Sequence, residues 1–132
     1  MNTYFAPGLL PCLLAVGVAA PAGRAGERAW TLEAAMRAVE SDKEEYSTRR
    51  AALAYLKDRR AKEYIPRLGQ ALQGKYDVVA LDILHTLASF ADGRAWHYLR
   101  AYEKQNEADE IDLPGKINAA LIGAKEVCRP RS

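Results

Sequence analysis

The sequence predicts an all-α protein, and composition and a repeated pattern are the main reasons. Of the 132 residues, 49% are hydrophobic, which is enough to build one continuous core. Ala, Leu, Arg, Glu and Lys, which all favour helices, are abundant, whereas β-branched residues are few and scattered. We therefore expect a single domain formed by a short stack of about five to six antiparallel helices.

One pattern occurs twice within residues 49–103. The apolar residues of the first copy fall on apolar residues of the second when the chain is shifted by 31 positions, as for Leu53 with Leu84 and Leu68 with Leu99. Each copy contains two short amphipathic segments joined by a polar turn. A repeat of this length predicts stacked helix pairs, with incomplete pairs at both ends that share the core.

The beginning of the chain contains signals for two helices. Thr31 can cap a helix whose apolar residues recur at three- and four-residue spacing from Leu32. Ser41 and Glu44 have the spacing of a capping box, which predicts that a second helix starts there and runs to about Asp58. We expect its buried stripe to consist of Tyr46, the stem of Arg49, Ala52, Leu53 and Leu56.

The most apolar helix is expected in the middle of the chain. Pro66 fits only the first turn of a helix and Gly74 favours a helix end, so residues 63–73 are expected to form the third helix. Asp77 can cap the fourth. Its wide apolar face predicts that it is the most buried helix. That face consists of Val79, Ala80, Ile83, Leu84, Leu87 and Phe90.

Two further helices are expected toward the C-terminus. An Asp-Gly turn signal precedes residues 94–105, which have a helical pattern with Trp96 and Leu99 on its apolar face. Residues 106–112 contain four carboxylates and are expected to form an acidic loop. Pro114 then opens a last helix. Its expected apolar residues are Ile117, Leu121, Ile122 and Val127, and the tail from Cys128 onward is expected to fray.

Residues 1–22 have the layout of a secretory signal peptide, with an apolar run, small residues suited to cleavage and no acidic side chain. The apolar run is shorter than the roughly 20 residues that a membrane span needs, so we expect no stable span after processing. Residues 23–132 would then form the mature domain in the periplasm or outside the cell, with Cys128 as its lone thiol. If residues 1–22 are not a signal, the protein is expected in the cytoplasm.

Two segments resemble a known repeat family. One helix begins near Ile65 with the sequence Ile-Pro-Arg-Leu, and the next begins at residues 77–81 with Asp-Val-Val-Ala-Leu. With the recurring helix pairs, these segments resemble HEAT-like repeats of the short bacterial type, although Ala80 and His97 replace an Arg and a Pro that such repeats usually carry. The resemblance covers residues 47–124. It implies a short α-α superhelix, or solenoid, that binds other proteins.

Tetratricopeptide repeats are the alternative class. Trp96 and Leu99 have the spacing that opens such a repeat, but Arg100 occupies the position of its Gly. An acidic stretch also stands where the small-residue helix of that repeat should follow. We favour HEAT-like repeats. Both classes are stacks of helix pairs, so the functional inference is the same.

The sequence contains no motif for catalysis, metal binding or cofactor binding. His85 and His97 are 12 residues apart, and no Cys or His stands at ligand spacing near either. The glycines are dispersed, so they predict no phosphate-binding loop, and no nucleophile elbow occurs. We therefore expect no enzyme activity, no metal and no cofactor. A small enzyme is the least favoured alternative.

Charge gives one weak indication of a partner. The net charge of +2 is far below that of a dedicated nucleic-acid-binding protein, so no nucleic acid is expected. A local excess of basic residues lies between Arg49 and Arg67. It would suit an acidic protein surface or an anionic envelope polymer. Solvated helix ends explain it better, because Arg59 and Arg60 stand where cations complement a helix C-terminus.

These observations predict an exported protein-interaction module or scaffold, because a stack of helix pairs exposes one helix of each pair. The expected partner is another protein, for which an acidic surface would be suitable. The alternative is a structural accessory subunit that docks end-on to a larger envelope assembly. Exposed Leu or Ile side chains on the final helix, near Ile117 and Leu121, would favour this alternative. The expected partner-binding residues are Arg59, Arg60, Arg67, Gln70, Arg94, His97 and Tyr98.

Overall fold

The prediction of an all-α protein is confirmed. The computed structural model describes residues 29–131, which contain six α-helices and no β-strand. The helices are α1 (Leu32–Glu40), α2 (Tyr46–Asp58), α3 (Ile65–Leu72), α4 (Val78–Phe90), α5 (Trp96–Ala108) and α6 (Gly115–Cys128). Short 3-10 turns precede α3 at Lys62–Tyr64 and α5 at Gly93–Ala95. The expected signal peptide, residues 1–22, lies outside the described residues.

The helices pack in two layers within one compact unit, Thr31–Ser132. In one layer α4 contacts α2 on one side and α6 on the other, and in the second layer α3 contacts α1 and α5 in the same way. Contacts between the layers join α1 to α2, α3 to α4 and α5 to α6. As predicted, α4 is the most buried helix, because seven of its 13 residues are buried.

The two copies of the sequence pattern have the same construction. The 3-10 turns begin at Lys62 and Gly93, which are 31 residues apart (93 − 62 = 31). The leucines that this shift aligns are all buried, namely Leu53 with Leu84, Leu56 with Leu87 and Leu68 with Leu99. One aligned pair differs, because Ile65 is fully buried whereas Trp96 is partly exposed.

Capping residues fix the first turns of α1 and α4 as predicted. The Thr31 hydroxyl accepts a hydrogen bond from a first-turn N–H at 3.1 Å. The Asp77 carboxylate accepts hydrogen bonds from the N–H groups of Val79 and Ala80 at 3.1 and 3.3 Å. Each cap satisfies backbone donors that have no partner within the helix. Gly74, with a φ of 76°, adopts the left-handed conformation just after α3.

The predicted capping box at Ser41 is wrong. Ser41 follows the last residue of α1, and its hydroxyl accepts a hydrogen bond from the Lys43 N–H at 3.2 Å. α2 begins only at Tyr46, and Glu45 precedes it without a side-chain capping bond. A serine hydroxyl can satisfy an N–H group in a turn as readily as at a helix start, so the same residues fit both structures.

Tyr46 does not belong to the buried stripe of α2, because 48% of it is exposed. The stripe consists of Arg49, Ala52, Leu53 and Leu56. Tyr46 lies in the first turn, where its hydroxyl donates a hydrogen bond to Asp77 Oδ2 at 2.8 Å. The phenol thus connects the start of α2 to the cap of α4 instead of filling the core.

The expected acidic loop at residues 106–112 is partly helical. α5 continues to Ala108, and Asn106, near its end, is only 4% exposed. The helix closes at Glu110, which has a φ of 56°, and the Ile111 N–H donates a hydrogen bond to the Asn106 carbonyl at 2.8 Å. Gln, Glu and Ala are good helix formers, so the helix extends through these charged residues.

The core face of α6 differs from the predicted one. Ile122 and Val127 are 55% and 49% exposed, whereas Ile117 and Leu121 are buried as expected. Ala124 and Cys128 complete the buried stripe at three- and four-residue spacing. The tail from Cys128 therefore does not fray at its first residue, because Cys128 is a buried member of α6.

Candidate partner-binding surface

A groove of about 500 Å³ runs between α2 and α4 on the surface of their layer. Side chains that stand three or four positions apart along each helix line the groove, because such positions share one helix face. They include Ser47, Arg50, Ala54 and Lys57 from α2 and Asp82 and His85 from α4. Ser47 and Ala54 have small side chains, which leave room in the groove beside the charged residues.

A second groove, of about 440 Å³, runs between α4 and α6. It is lined mainly by small apolar residues, including Ala88, Ala119, Ala120 and Gly123, with Lys116 at one position. His85 lines both grooves, so the two meet at this side chain. Together they form one surface across three helices, which we call the α2–α4–α6 face.

The α2–α4–α6 face has a positive charge balance. Arg50 Nε lies 2.7 Å from Asp82 Oδ2, so these two charges offset each other. Lys57 and Lys116 form no ion pair with any described residue. The two ammonium groups are therefore available to an anionic group in the grooves, while the small apolar residues offer contact area.

Arg59 and Arg60, two of the expected partner-binding residues, lie at the end of α2. The Arg59 guanidinium lies 4.9 Å from the centre of the Tyr55 ring, a cation–π contact. Arg60 has a φ of 51° and lines a small cleft with Lys57 and Phe90 where α2 and α4 end. Both side chains are exposed, in the position where cations complement a helix C-terminus.

Arg67 connects two helices of the second layer. Its guanidinium lies 2.6 Å from Glu40 Oε1 and 2.8 Å from Glu33 Oε1, both on α1. The hydrogen bonds that Arg67 donates to Glu40 and, second, to Glu33 raise the pKa of Arg67. Those that Glu33 accepts from Arg67 and, second, from Arg37 lower the pKa of Glu33. The charge of Arg67 is thus already matched within the chain.

Arg94 is also engaged inside the chain. Its guanidinium lies 2.9 Å from Asp92 Oδ2, and the Arg94 backbone N–H donates to the same carboxylate at 2.9 Å. These hydrogen bonds lower the pKa of Asp92 to about 2. The pair fixes the turn before α5, where the aspartate acts as a cap.

The remaining expected residues lie on α3 and α5. Gln70 and His97 are exposed, and the His97 and Tyr98 ring centres are 3.9 Å apart. Tyr98 packs against Gly69 so closely that a Cβ atom built on Gly69 would lie 2.2 Å from Tyr98 Cγ. None of the seven expected residues lines the α2–α4–α6 face.

The basic residues between Arg49 and Arg67 do not form one patch. Arg49 is 7% exposed and packs 5.2 Å from the centre of the Tyr46 ring, Arg50 pairs with Asp82, and Arg67 pairs with α1. Arg49 forms no ion pair with a described residue but is buried, so the exposed charges without an ion pair are at the end of α2 and in the turn after it. The local charge excess in the sequence therefore has mainly structural partners.

Sequence reasoning missed the α2–α4–α6 face. It considered the wide apolar face of α4 and not the opposite side, although Asp82 and His85 are three positions apart and share one side of the helix. On α2, Ser47, Ala51 and Ala54 likewise share one side of the helix with Arg50 and Lys57. This small-residue spacing was the available signal. The spacing within each helix does not indicate that α2, α4 and α6 lie side by side with these residues on one surface.

The described residues offer little else for chemistry. Residues 29–131 contain no group of three or more His, Cys, Asp or Glu side chains placed to hold a metal ion. Cys128 is buried and unpaired, its thiol lies 3.5 Å from the Leu87 carbonyl, and burial raises its pKa. Within the same part of the chain, each helix is too short or too polar to cross a membrane.

The class defined by these observations is an all-α protein with a two-layer arrangement of helices. No protein-family model, no curated protein and no solved structure matches the chain.

Proposed function

We propose that this chain is a protein-interaction module built from HEAT-like helix pairs, and that its α2–α4–α6 face binds an acidic segment of another protein without catalysis. The single observation that carries the proposal is the continuity of the two grooves at His85. A surface that extends over three helices is long enough to hold several consecutive residues of a partner.

The packing order supports the HEAT-like assignment. Each α-helix from α1 to α4 contacts the helix two positions later in the chain, which is the arrangement expected when helix pairs stack side by side. The 3-10 turns recur with the same 31-residue spacing as the leucines. Tetratricopeptide repeats stack in a similar way, and the Ile-Pro-Arg-Leu segment at Ile65 favours the HEAT-like class over them.

Charge supports the choice of an acidic partner. Lys57 of α2 lines the α2–α4 groove, and Lys116 of α6 lines the α4–α6 groove. A bound segment with a carboxylate near each end would therefore place one carboxylate beside each ammonium group. Between them, alanines and Gly123 would accept apolar side chains. A basic segment would be repelled at both lysines.

Selection from a library of short random peptides tests this proposal. We expect the enriched peptides to be acidic and to lose most of their affinity for a variant with Lys57→Glu and Lys116→Glu. The matched control carries Arg59→Glu and Arg60→Glu, which reverses the same number of charges at positions that line neither groove. Its affinity should remain within about threefold of the wild-type value, because charges at the rim of a binding surface contribute little to affinity.

Two results would refute binding at this face. One is enrichment of peptides without acidic residues. The other is equal loss of affinity in both charge-reversal variants, which would show attraction by the overall charge. Loss only in the Arg59 and Arg60 variant would move the site to the end of α2.

We also propose that the protein is exported, on the basis of the signal-peptide layout of residues 1–22. N-terminal sequencing of the protein isolated from its native cells tests this proposal. The mature chain should begin near Gly23, and a chain that begins with Met1 would contradict cleavage.

A further inference from the structure

The C-terminal end of the helix stack contains a second candidate binding surface. α5 contacts α3 and α6, and α6 contacts α4 and α5, so both helices have α-helical neighbours on one side only within residues 29–131. A notch of about 230 Å³ lies between them. We call it the α5–α6 notch, and its lining includes Glu103, Asn106, Glu107, Ile111, Asp112 and Asn118.

The Asn106 amide is the unusual member of this notch. Asn106 is 4% exposed, yet neither its Oδ1 nor its Nδ2 atom has a hydrogen-bond partner. Burial of an unsatisfied amide is unfavourable, and most such groups in folded proteins find a partner. The backbone of Asn106 is fixed, because its carbonyl accepts the Ile111 N–H at 2.8 Å.

Tyr102, a buried neighbour of Asn106 on α5, has a hydrogen-bond partner of its own. Burial raises the pKa of Tyr102 to about 12. The Tyr102 hydroxyl itself donates to the Lys75 carbonyl at 2.6 Å. Of the two unpaired amide atoms of Asn106, Oδ1 is an acceptor and needs a donor.

The rim of the notch favours a donor with a positive charge. Glu103 already pairs with Lys125 and Arg100, whereas Glu107 and Asp112 form no ion pair with a described residue. Two carboxylates and an amide oxygen therefore converge on one opening without a matching cation. Ammonium and guanidinium groups supply only donors and fit such a set.

Exposed apolar side chains flank the same opening. Ile111 lines the notch and is 38% exposed, and Ile122 is 55% exposed, one helical turn beyond Asn118. An exposed Leu or Ile on the final helix is the feature that would favour end-on docking to a larger assembly. Ile122 is such a residue. An apolar contact beside an acidic notch is suited to a partner element with both kinds of side chain.

We propose that the α5–α6 notch receives a Lys or Arg side chain from a helix of a partner protein, and that Ile111 and Ile122 pack against that helix. The docking side chain reaches Asn106 Oδ1 by displacing part of the notch lining, because the amide is covered in the free chain. A second copy of this chain is a poor occupant in a two-fold arrangement, since acidic rims would face each other. This surface is separate from the α2–α4–α6 face.

Two matched helical peptides test the proposal. One has a central Lys with Leu one turn away on each side, and the other has norleucine in place of Lys. We expect the Lys peptide to shift the NMR signals of the Asn106 side-chain amide. Replacing Lys by norleucine should weaken binding by about tenfold or more, as expected for the loss of a charge-assisted hydrogen bond.

Variants of the chain separate a binding role from a structural one. Asn106→Leu should abolish binding of the Lys peptide without lowering the melting temperature, because the leucine removes an unsatisfied buried amide. Glu107→Gln with Asp112→Asn, both exposed positions, should weaken binding in a salt-sensitive way. Asp109→Asn with Glu110→Gln is the control with the same charge change outside the notch.

Several results would overturn the proposal. These are equal binding of the norleucine peptide, unchanged binding to the Asn106 variant, a lower melting temperature of that variant, and equal weakening by the control pair. Self-association of the free chain that Ile122→Glu abolishes would identify a second copy as the occupant. Because the probe is cationic, its failure leaves the acidic-peptide test of the α2–α4–α6 face unaffected.

Discussion

The two copies of the sequence pattern, α2 with α3 and α4 with α5, are pairs in sequence that have the same leucine positions but different polar contacts. In the first pair, Arg67 joins α3 to two carboxylates of α1. In the second, Tyr98 of α5 packs on Gly69, and Tyr102 donates to the Lys75 carbonyl. The buried positions set the repeated architecture, whereas each polar contact depends on the particular neighbour.

The pairs also differ in how deeply their first helices are buried. α2 has four buried residues among 13, one of which is Arg49, whereas α4 has seven among 13. α4 has a neighbour on both sides in its layer, and α2 has a layer neighbour on one side. Equal substitutions in the two helices should therefore have unequal effects on stability.

The largest effect is expected from Leu84→Asp in α4. Leu84 is fully buried, and an unpaired carboxylate in this position costs several kcal/mol against a total stability of roughly 5 to 15 kcal/mol. Circular dichroism should show an unfolded chain at 25 °C. The control Ala101→Asp places the same group on the exposed side of α5 and should remain folded. A cooperative melt of the Leu84 variant near the wild-type temperature would contradict the burial of α4.

Leu84→Ala and Leu53→Ala compare the two helices directly. Both leucines are buried, and Leu→Ala in a core costs about 2 to 5 kcal/mol, with the larger costs where the surroundings cannot collapse. Urea denaturation should show the larger loss for Leu84→Ala, because α4 is enclosed on both sides. An equal or larger loss of stability for Leu53→Ala would contradict the prediction that α4 contributes more to the core than α2.

Gly69→Ala tests the contact between the pairs. Ala is normally the better helix former by about 1 kcal/mol, but a Cβ atom here would clash with the Tyr98 ring, at a cost of about 1 to 3 kcal/mol. We expect a lower melting temperature, partly restored when Tyr98→Ala is added. Gly123→Ala on α6 is the control, since nothing lies within 4 Å of its added Cβ, and it should be neutral or stabilising. Stabilisation by Gly69→Ala would disprove the close contact.

The smallest effect is expected from pH at the cap of α4. Burial alone would raise the pKa of Asp77, but hydrogen bonds from Tyr46 and from the N–H groups of Ala80 and Val79 outweigh burial, so the pKa lies below the usual value of an aspartate. A carboxylate with a lowered pKa stabilises the fold above its unfolded-state pKa and loses this contribution as pH falls through the folded-state value.

Asp77→Asn retains a capping side chain and removes the titrating charge. The melting temperature of the wild type should exceed that of the variant above about pH 5, and the difference should shrink as the pH is lowered toward 3. A difference that is constant across this range would show that the charge of Asp77 does not matter.

Much of the fold could be predicted because it depends on local patterns. The leucines at 31-residue spacing, the Asp77 cap and the stop at Gly74 are each set by residues within a few positions of one another. The predictions for individual residues were wrong where the residue type is equally stable in two different structural environments. Ser41 can cap a helix or a turn, Tyr46 can fill a core or reach a distant carboxylate, and Ile122 is apolar but faces outward.

The candidate surfaces were harder to predict than the fold. Arg67 and Arg94 looked available in the sequence, yet their partners Glu33 and Asp92 become apparent only when the chain is folded. The α2–α4–α6 face depends on residues from helices that are far apart in sequence. Periodicity identifies which residues are exposed on one helix, but not which exposed sides will lie next to each other.

Amide hydrogen exchange measured by NMR tests most directly whether α4 is the core that the two helix pairs share. We expect the amides in the middle of α4, around Leu84 and Leu87, to exchange slowest and only through global unfolding. Amides of α1 and α6, at the edges of the two layers, should exchange faster through local opening. Exchange in α4 that is as fast as in α1 and α6 would contradict its central place in the fold.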